Sequence, residues 1–147
     1  MSIPRRTFLK GVLATSGVMV VPTVMADWPE KAFMADTVED ALKSLFLDVE
    51  TGSNKITINA PVIAENGAVV PVEVTTDLPK VESIMIIAEE NPKPLIAKFD
   101  LAENAVGWIK TRIKMAETSN VIAIVKADGK LYESRRLVKV TIGGCGG

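Results

Sequence analysis

Hydrophobic and polar positions divide the chain into stretches with different rhythms. An apolar stretch runs from Gly11 to Val24. A helical rhythm follows between Asp36 and Asp48, where Val38, Ala41, Leu42, Leu45 and Phe46 fall at i, i+3, i+4, i+7 and i+8 and share one face. Asp36 stands where an N-cap belongs, with Glu39 three residues on, and Thr51-Gly52-Ser53-Asn54 closes the segment. From Lys55 onward the period falls to two. Ile56 and Ile58 alternate with Thr57 and Asn59, and Val70, Val72 and Val74 with Pro71, Glu73 and Thr75. Val81 to Ala88 and Leu95 to Leu101 are β-rich runs. Ile109, Thr111, Ile113 and Met115 oppose Trp108, Lys110, Arg112 and Lys114. Val121 to Val125 is apolar throughout, as a strand buried on both faces requires. Lys130 to Ile142 ends with Val138, Val140 and Ile142 on one side.

Turn signals separate these runs at Asn66-Gly67, Asn91-Pro92-Lys93-Pro94 and Asp128-Gly129, the last with the composition of a two-residue hairpin. About seven short strands so punctuated predict a mainly β fold: an immunoglobulin-like antiparallel β-sandwich preceded by one N-terminal helix. The helix is expected to cover one end or edge of the sandwich, with partner docking as the alternative. Pro71 inside a strand pattern points to an edge or a bulge. No repeat or linker splits residues 27–142, so they form one domain.

The first 26 residues read as an address. Arg5-Arg6-Thr7-Phe8-Leu9-Lys10 precedes the apolar stretch, and Val24-Met25-Ala26 offers small residues for cleavage. The paired arginines resemble the twin-arginine (Tat) export consensus. The stretch of about fourteen residues is short against the roughly 20 that a membrane span needs. The expectation is a signal over 1–26, cut near Ala26, and a periplasmic mature chain. Of the 17 bases in the chain, Arg5, Arg6 and Lys10 leave with the signal, so 14 remain against 18 acids, a net charge of −4. No basic patch suited to nucleic acid appears.

The chain has one cysteine and no histidine. A Ser-His or Cys-His nucleophile pair, a His-bearing or multi-thiolate zinc site and a Cys-x-x-Cys-His haem attachment therefore cannot be built. Neither cofactor nor resident metal is expected, nor catalysis by the chain itself. The single thiol, Cys145, lies in Gly143-Gly144-Cys145-Gly146-Gly147 at the end of the sequence. Glycine permits nearly every backbone conformation and adds no side-chain bulk. Five extended residues reach at most about 17 Å. Residues 143–147 thus suit an arm, thin and mobile, that presents Cys145 to another protein's active site. The nearest bases in sequence are Lys139, Arg136 and Arg135, and none adjoins the thiol, so activation is expected in a partner's pocket. Three readings stay open at this point: a covalent handle for cargo, an intermolecular Cys145 disulfide in an exported structural domain, and an idle tail.

The tail Val140-Thr141-Ile142-Gly143-Gly144-Cys145-Gly146-Gly147 resembles the C-terminus of the SoxY family, sulfur carriers of bacterial thiosulfate oxidation. So do Ala60 to Val72 (Ala-Pro-Val-Ile-Ala-Glu-Asn-Gly-Ala-Val-Val-Pro-Val), Glu90-Asn91-Pro92-Lys93-Pro94 and Thr111-Arg112-Ile113-Lys114-Met115. The resemblance implies a covalent carrier that pairs with SoxZ. Sulfur from thiosulfate is joined to Cys145 at the haem protein SoxXA, sulfate is released by SoxB, and the remaining sulfur is passed on or oxidised by SoxCD. Gly143, Gly144, Gly146 and Gly147 then form the swinging arm. A carrier of the ubiquitin-like kind, charged on its terminal Gly-Gly carboxylate, is the competing reading. Its ATP-dependent chemistry is intracellular, which fits poorly with an export signal. Arg112, Trp108 and the Ala64-to-Gly67 turn are candidate interface residues.

Overall fold

The computed structural model describes residues 29–45 and 55–142. The helix expected over 36–48 is α2 (Val38–Ser44), and a further short helix that the periodicity does not predict, α1 (Glu30–Phe33), precedes it. Eight strands follow: β1 (Ile56–Asn59), β2 (Ile63–Ala64), β3 (Val70–Thr76), β4 (Val81–Ala88), β5 (Leu95–Asp100), β6 (Trp108–Ile113), β7 (Ser119–Ala127) and β8 (Lys130–Val140). They form a three-stranded sheet, β1-β3-β6, facing a five-stranded sheet, β2-β8-β7-β4-β5. This is the expected immunoglobulin-like sandwich. The added strand is β2, too short to leave a periodic signal. It pairs parallel to β8, Ile63 with Lys139 and Ala64 with Val140, so the sandwich is not antiparallel throughout. The chain changes sheets at Ala60-Pro61, between β1 and β2.

Alternation explains which face each strand buries. The three-stranded sheet turns Ile56, Ile58, Val70, Val72, Val74, Ile109 and Ile113 inward, against Ile84, Ile86, Val121, Ala123, Val125 and Val138. β4 and β7 have no polar face because the helices cover their outer side. Ala32 and Ala41 pack with Met85, Ile87, Leu95, Ile122, Ile124 and Leu131 in a second core, joined by Val38, Leu42 and Leu45. Every residue from Val121 to Val125 is fully buried. Each large aliphatic so buried contributes about 1.5–3 kcal/mol. The helices therefore lie on the face of the larger sheet rather than at an end or edge.

Three local expectations change. Thr37, extended at φ −129°, caps α2 instead of Asp36: its hydroxyl accepts from the Asp40 N–H at 3.0 Å and donates to the Asp40 carboxylate at 2.8 Å. Asp36 instead meets Lys93 at 2.6 Å. The helix closes at Ser44, where the Leu45 N–H bonds back to the Leu42 carbonyl, while Phe46 to Asn54 lie outside the described residues. Pro71 sits in the middle strand of its sheet, but β1 ends at Asn59 opposite Glu73, so no strand flanks Pro71 on that side. The Asp128-Gly129 hairpin forms as expected: Ala127 faces Lys130, and φ is 50° at Asp128 and 74° at Gly129, the two positive values of a type I′ turn.

Candidate functional site

The antiparallel registers bring the start of β3, β5 and β7 and the end of β4, β6 and β8 to one end of the sandwich. Residues 62–69, 89–94 and 114–118 surround the last described residues, Thr141 and Ile142, at the root of the expected C-terminal arm. The four sequence stretches that carry the family resemblance therefore meet at the root of that arm.

The root is held from both sides. On one side the Lys139 N–H donates to the Val62 carbonyl at 3.0 Å and the Thr141 N–H to the Ala64 carbonyl at 3.1 Å. The Thr141 hydroxyl donates to the Glu65 carbonyl at 3.0 Å. On the other side the Val140 N–H donates to the Thr118 hydroxyl at 2.9 Å. The Gly67 N–H then bonds the Ile142 carbonyl at 2.8 Å, and the Gly67 carbonyl accepts from the Met115 N–H at 2.7 Å. Within that turn the Asn66 side chain accepts from the Ala68 N–H at 2.8 Å. Asn91, only 9% exposed, fixes the 114–116 loop: its amide donates to the Lys114 carbonyl and accepts from the Ala116 N–H, both at 2.8 Å. Four apolar side chains stand more than half exposed beside the root: Val62, Ile63, Val69 and Ile142. They form an apolar collar at the end of the described chain.

Residues 143–147 lie outside the described residues, and with them Cys145, Gly143, Gly144, Gly146 and Gly147. Arg5, Arg6 and Ala26 lie outside them too. Among the flanking bases, Arg135 is engaged by Glu133 and by Glu89 at 3.1 Å. Its guanidinium is held more basic than usual, chiefly by the Glu133 hydrogen bond. Arg136 points to the inner side of β8, and Lys139 is exposed on the outer side. Arg112 is exposed opposite Pro71, on the outer face of the smaller sheet. On that face the Trp108 indole donates to Glu73 at 2.8 Å. This bond, together with Lys110 at 3.6 Å, keeps the Glu73 carboxyl below the usual carboxylate range. Of the candidate interface residues, only the Ala64-to-Gly67 turn reaches the arm root. The clamping roles of Asn91, Thr118 and Thr141 are not legible in the sequence, because they depend on neighbours 22 to 76 residues away.

Three surface cavities lie away from Thr141 and Ile142. Volumes of about 210, 270 and 320 Å³ are lined by residues around Lys98 and Lys126, around Pro61 and Pro71, and around Leu101 and Gly129. No group of three or more His, Cys, Asp or Glu among the described residues could hold a metal ion. No described helix is long and apolar enough to cross a membrane. The body thus presents a hydrogen-bonded socket around Val140 to Ile142.

Fold and site together define an immunoglobulin-like sandwich whose anchored C-terminal strand leads to a lone cysteine. Residues 42–145 match the family model described as sulfur oxidation protein SoxY, a match that ends on Cys145 itself. The chain belongs to the SoxY family. A solved structure of the sulfur carrier protein SoxY from Chlorobium limicola f thiosulfatophilum is 42% identical, with a TM-score of 0.64, over 72% of this chain and 97% of that one. The superoxide reductase (neelaredoxin) of Ignicoccus hospitalis shares the fold alone, at 16% identity and a TM-score of 0.55 over 63% of this chain and 94% of the other. No curated protein matches the sequence.

Proposed function

We propose that the chain carries sulfur covalently on Cys145 during thiosulfate oxidation and presents it in turn to partner enzymes. The observation that carries this reading is the arm root. The body fixes the chain by hydrogen bonds up to Ile142, and Cys145, the one thiol, follows three residues later among glycines. A fixed root with a short glycine arm limits the thiol to a reach of about 10 Å from Ile142. That directs cargo outward, past the apolar collar, into a partner seated on this end.

The chemistry then belongs to the partners. The Cys145 thiol and thiosulfate form a sulfur–sulfur bond, losing one proton and two electrons, which a haem protein of the SoxXA type accepts. Hydrolysis by a SoxB-type enzyme releases the terminal sulfone as sulfate and leaves a persulfide on Cys145. A SoxCD-type enzyme oxidises that sulfur, or it is passed on. The chain functions as a one-to-one complex with SoxZ in the periplasm. Tat exports folded proteins, so a partner without its own signal would cross together with this chain. Deleting residues 1–26 should strand that partner in the cytoplasm.

The test is intact mass without reductant, on protein isolated from cells oxidising thiosulfate. Adducts of sulfur, sulfite or thiosulfate on Cys145, absent from Cys145→Ser, are expected. Doubled mass alone would favour the disulfide-linked structural domain. A Cys145→Ser chain that still supports thiosulfate oxidation would favour a carboxylate carrier.

A further inference from the structure

The turn that grips the arm root is also the one Asn-Gly pair of the sequence. Asn66 is exposed, and Gly67 is buried behind it. The Asn66 carbonyl accepts from the Val69 N–H at 3.3 Å, and its side-chain Oδ1 accepts from the Ala68 N–H at 2.8 Å. Gly67 faces the clamp. Its N–H donates to the Ile142 carbonyl at 2.8 Å, and its carbonyl accepts from the Met115 N–H at 2.7 Å. The two residues thus have separate tasks, one shaping the turn and the other gripping the root and the 114–116 loop.

Asn-Gly is a reactive pair. The backbone nitrogen after an asparagine attacks the side-chain Cγ, and glycine leaves that approach open because it has no side chain. At this turn the new bond joins the Gly67 nitrogen to Asn66 Cγ. The Cγ–Nδ2 bond breaks, and Nδ2 leaves as ammonia with the proton from the Gly67 N–H. Water then opens the five-membered succinimide. Opening at Cγ leaves aspartate in an ordinary backbone. Opening at the Asn66 backbone carbonyl leaves isoaspartate, whose chain path runs through Cβ and Cγ. No electrons are exchanged, and water is the only co-reactant.

The hydrogen bonds of the turn set the two requirements of ring closure against each other. The carboxamide is prepared: the Ala68 N–H on Oδ1 stabilises the charge that gathers on that oxygen during attack. The nucleophile is withheld. The Gly67 N–H must be lost in the reaction, and in the clamp the same N–H is given to Ile142. A succinimide nitrogen carries no hydrogen, so the ring and the clamp bond cannot coexist. The far side of Gly67 is fixed as well, by Met115 in the loop that Asn91 braces. Ring closure therefore starts from a locally opened root.

We propose that Asn66 is a site of spontaneous deamidation and isoaspartate formation, guarded by the clamp on the arm root: Asn66 reacts from the state in which Ile142 has released Gly67. The proposal does not rest on the sulfur-carrier reading, because the reaction involves neither Cys145 nor a partner. Its consequence runs one way. Isoaspartate adds one carbon to the chain path between residues 66 and 67, so the Gly67 N–H and carbonyl no longer meet Ile142 and Met115 together. An opening of the root that lasts long enough for ring closure thus becomes permanent, and the chain stays marked by it.

The experiment incubates the full chain at mildly alkaline pH and follows conversion at Asn66 by peptide mass. Labelling with an isoaspartyl methyltransferase separates isoaspartate from aspartate. Conversion should be about tenfold slower in the native chain than in the same chain unfolded in guanidinium chloride, the factor that one hydrogen bond on the attacking N–H supplies. Thr118→Val with Thr141→Val removes both side-chain holds on the root without touching the turn. It should speed conversion at Asn66 several-fold, while the exposed Asn104 keeps its native rate and so reports that the body is still folded. Asn66→Ser keeps an acceptor for the Ala68 N–H but has no amide to lose, and should abolish the labelling. In the isolated modified chain Gly67 and Met115 should have lost amide protection while the β4–β7 ladder retains it. Equal rates at Asn66 in the native and unfolded chains overturn the proposal. So does a rate that the two threonine substitutions leave unchanged, or a modified chain in which Gly67 and Met115 stay protected.

Discussion

Asn91 is the residue through which the arm root should be most vulnerable at a distance. Its side chain bridges the Lys114 carbonyl and the Ala116 N–H, both at 2.8 Å, in a site 9% exposed. Met115 lies between those residues and donates to Gly67, whose own N–H holds the Ile142 carbonyl. A hydrogen-bonded relay thus runs from the β4–β5 turn through the 114–116 loop to the start of the arm. Asn91→Ala leaves two backbone groups without their partner. One unsatisfied buried group costs about 1–3 kcal/mol, and water entering the shortened site offsets part of that. The expected loss is therefore about 2–4 kcal/mol. Asn91→Asp keeps the acceptor for Ala116 but sets a carboxylate oxygen against the Lys114 carbonyl, so it should recover little. Urea unfolding reads the loss as a lower midpoint at unchanged slope. Amide exchange locates it: Gly67 and Met115 should lose protection well before the β4–β7 ladder does. An unchanged midpoint, or protection lost evenly across both sheets, would refute the relay.

Two further outcomes follow from contacts away from the root. A Cβ on Gly107 would stand 2.6 Å from the Thr76 methyl and 3.0 Å from the Thr76 carbonyl oxygen, where the Thr76 N–H bonds Gly107 at 2.8 Å. Gly107→Ala should therefore destabilise by about 1–3 kcal/mol in the same urea assay, and adding Thr76→Ser should return part of the loss by removing the methyl. The carboxyls of Glu73 and Glu82 are held below their ordinary 4.5, Glu73 chiefly by the Trp108 indole, Glu82 by Lys126 and then by the Gly129 N–H. Because their folded values are depressed, the stability they contribute is complete above the unfolded pKa and is lost as pH falls through the folded one. Stability of the Glu73→Gln, Glu82→Gln double variant should consequently fall less steeply than that of the parent below about pH 4.5. Parallel curves would count against both contacts.

What was legible in the sequence was whatever depends on period and local chemistry. The bounds of β1 and β4, the I′ turn at Asp128-Gly129 and the double burial of β7 all follow from spacing and residue type. The misreadings share a different cause. The α2 cap passed from Asp36 to Thr37 because Lys93, 57 residues away, draws Asp36 into an ion pair. The helices cover a sheet face, which the apolar outer sides of β4 and β7 require but which helical periodicity alone does not locate. β2 exists because β8 offers it an edge, and two residues carry no rhythm. The root clamp is built from long-range bonds of Thr118, Thr141 and Asn91, all of them residues that read locally as turn or surface.

The same division explains how the site is organised. Residues that fold the body are spread along the chain at regular spacing, since each strand must bury a face. The residues that hold the arm root come from four separate stretches, and most of them fall within the stretches that resemble the SoxY family. On the proposed reading the thiol is activated in its partners' pockets, so its specificity comes from where it is presented. Presentation depends on a fixed starting point more than on any side chain near the sulfur. Clamping Val140 to Ile142 from both sides supplies that point, and the three residues from there to Cys145 set the radius. Lengthening the arm by inserting two glycines between Ile142 and Gly143 would extend that radius by about 7 Å while leaving the thiol and the clamp unchanged. If presentation governs the carrier, the insertion should slow loading of Cys145 by its partners while leaving its reaction with a small soluble disulfide unchanged. Equal loading rates for both lengths would mean that the partners recognise the cysteine without regard to where the body holds its root.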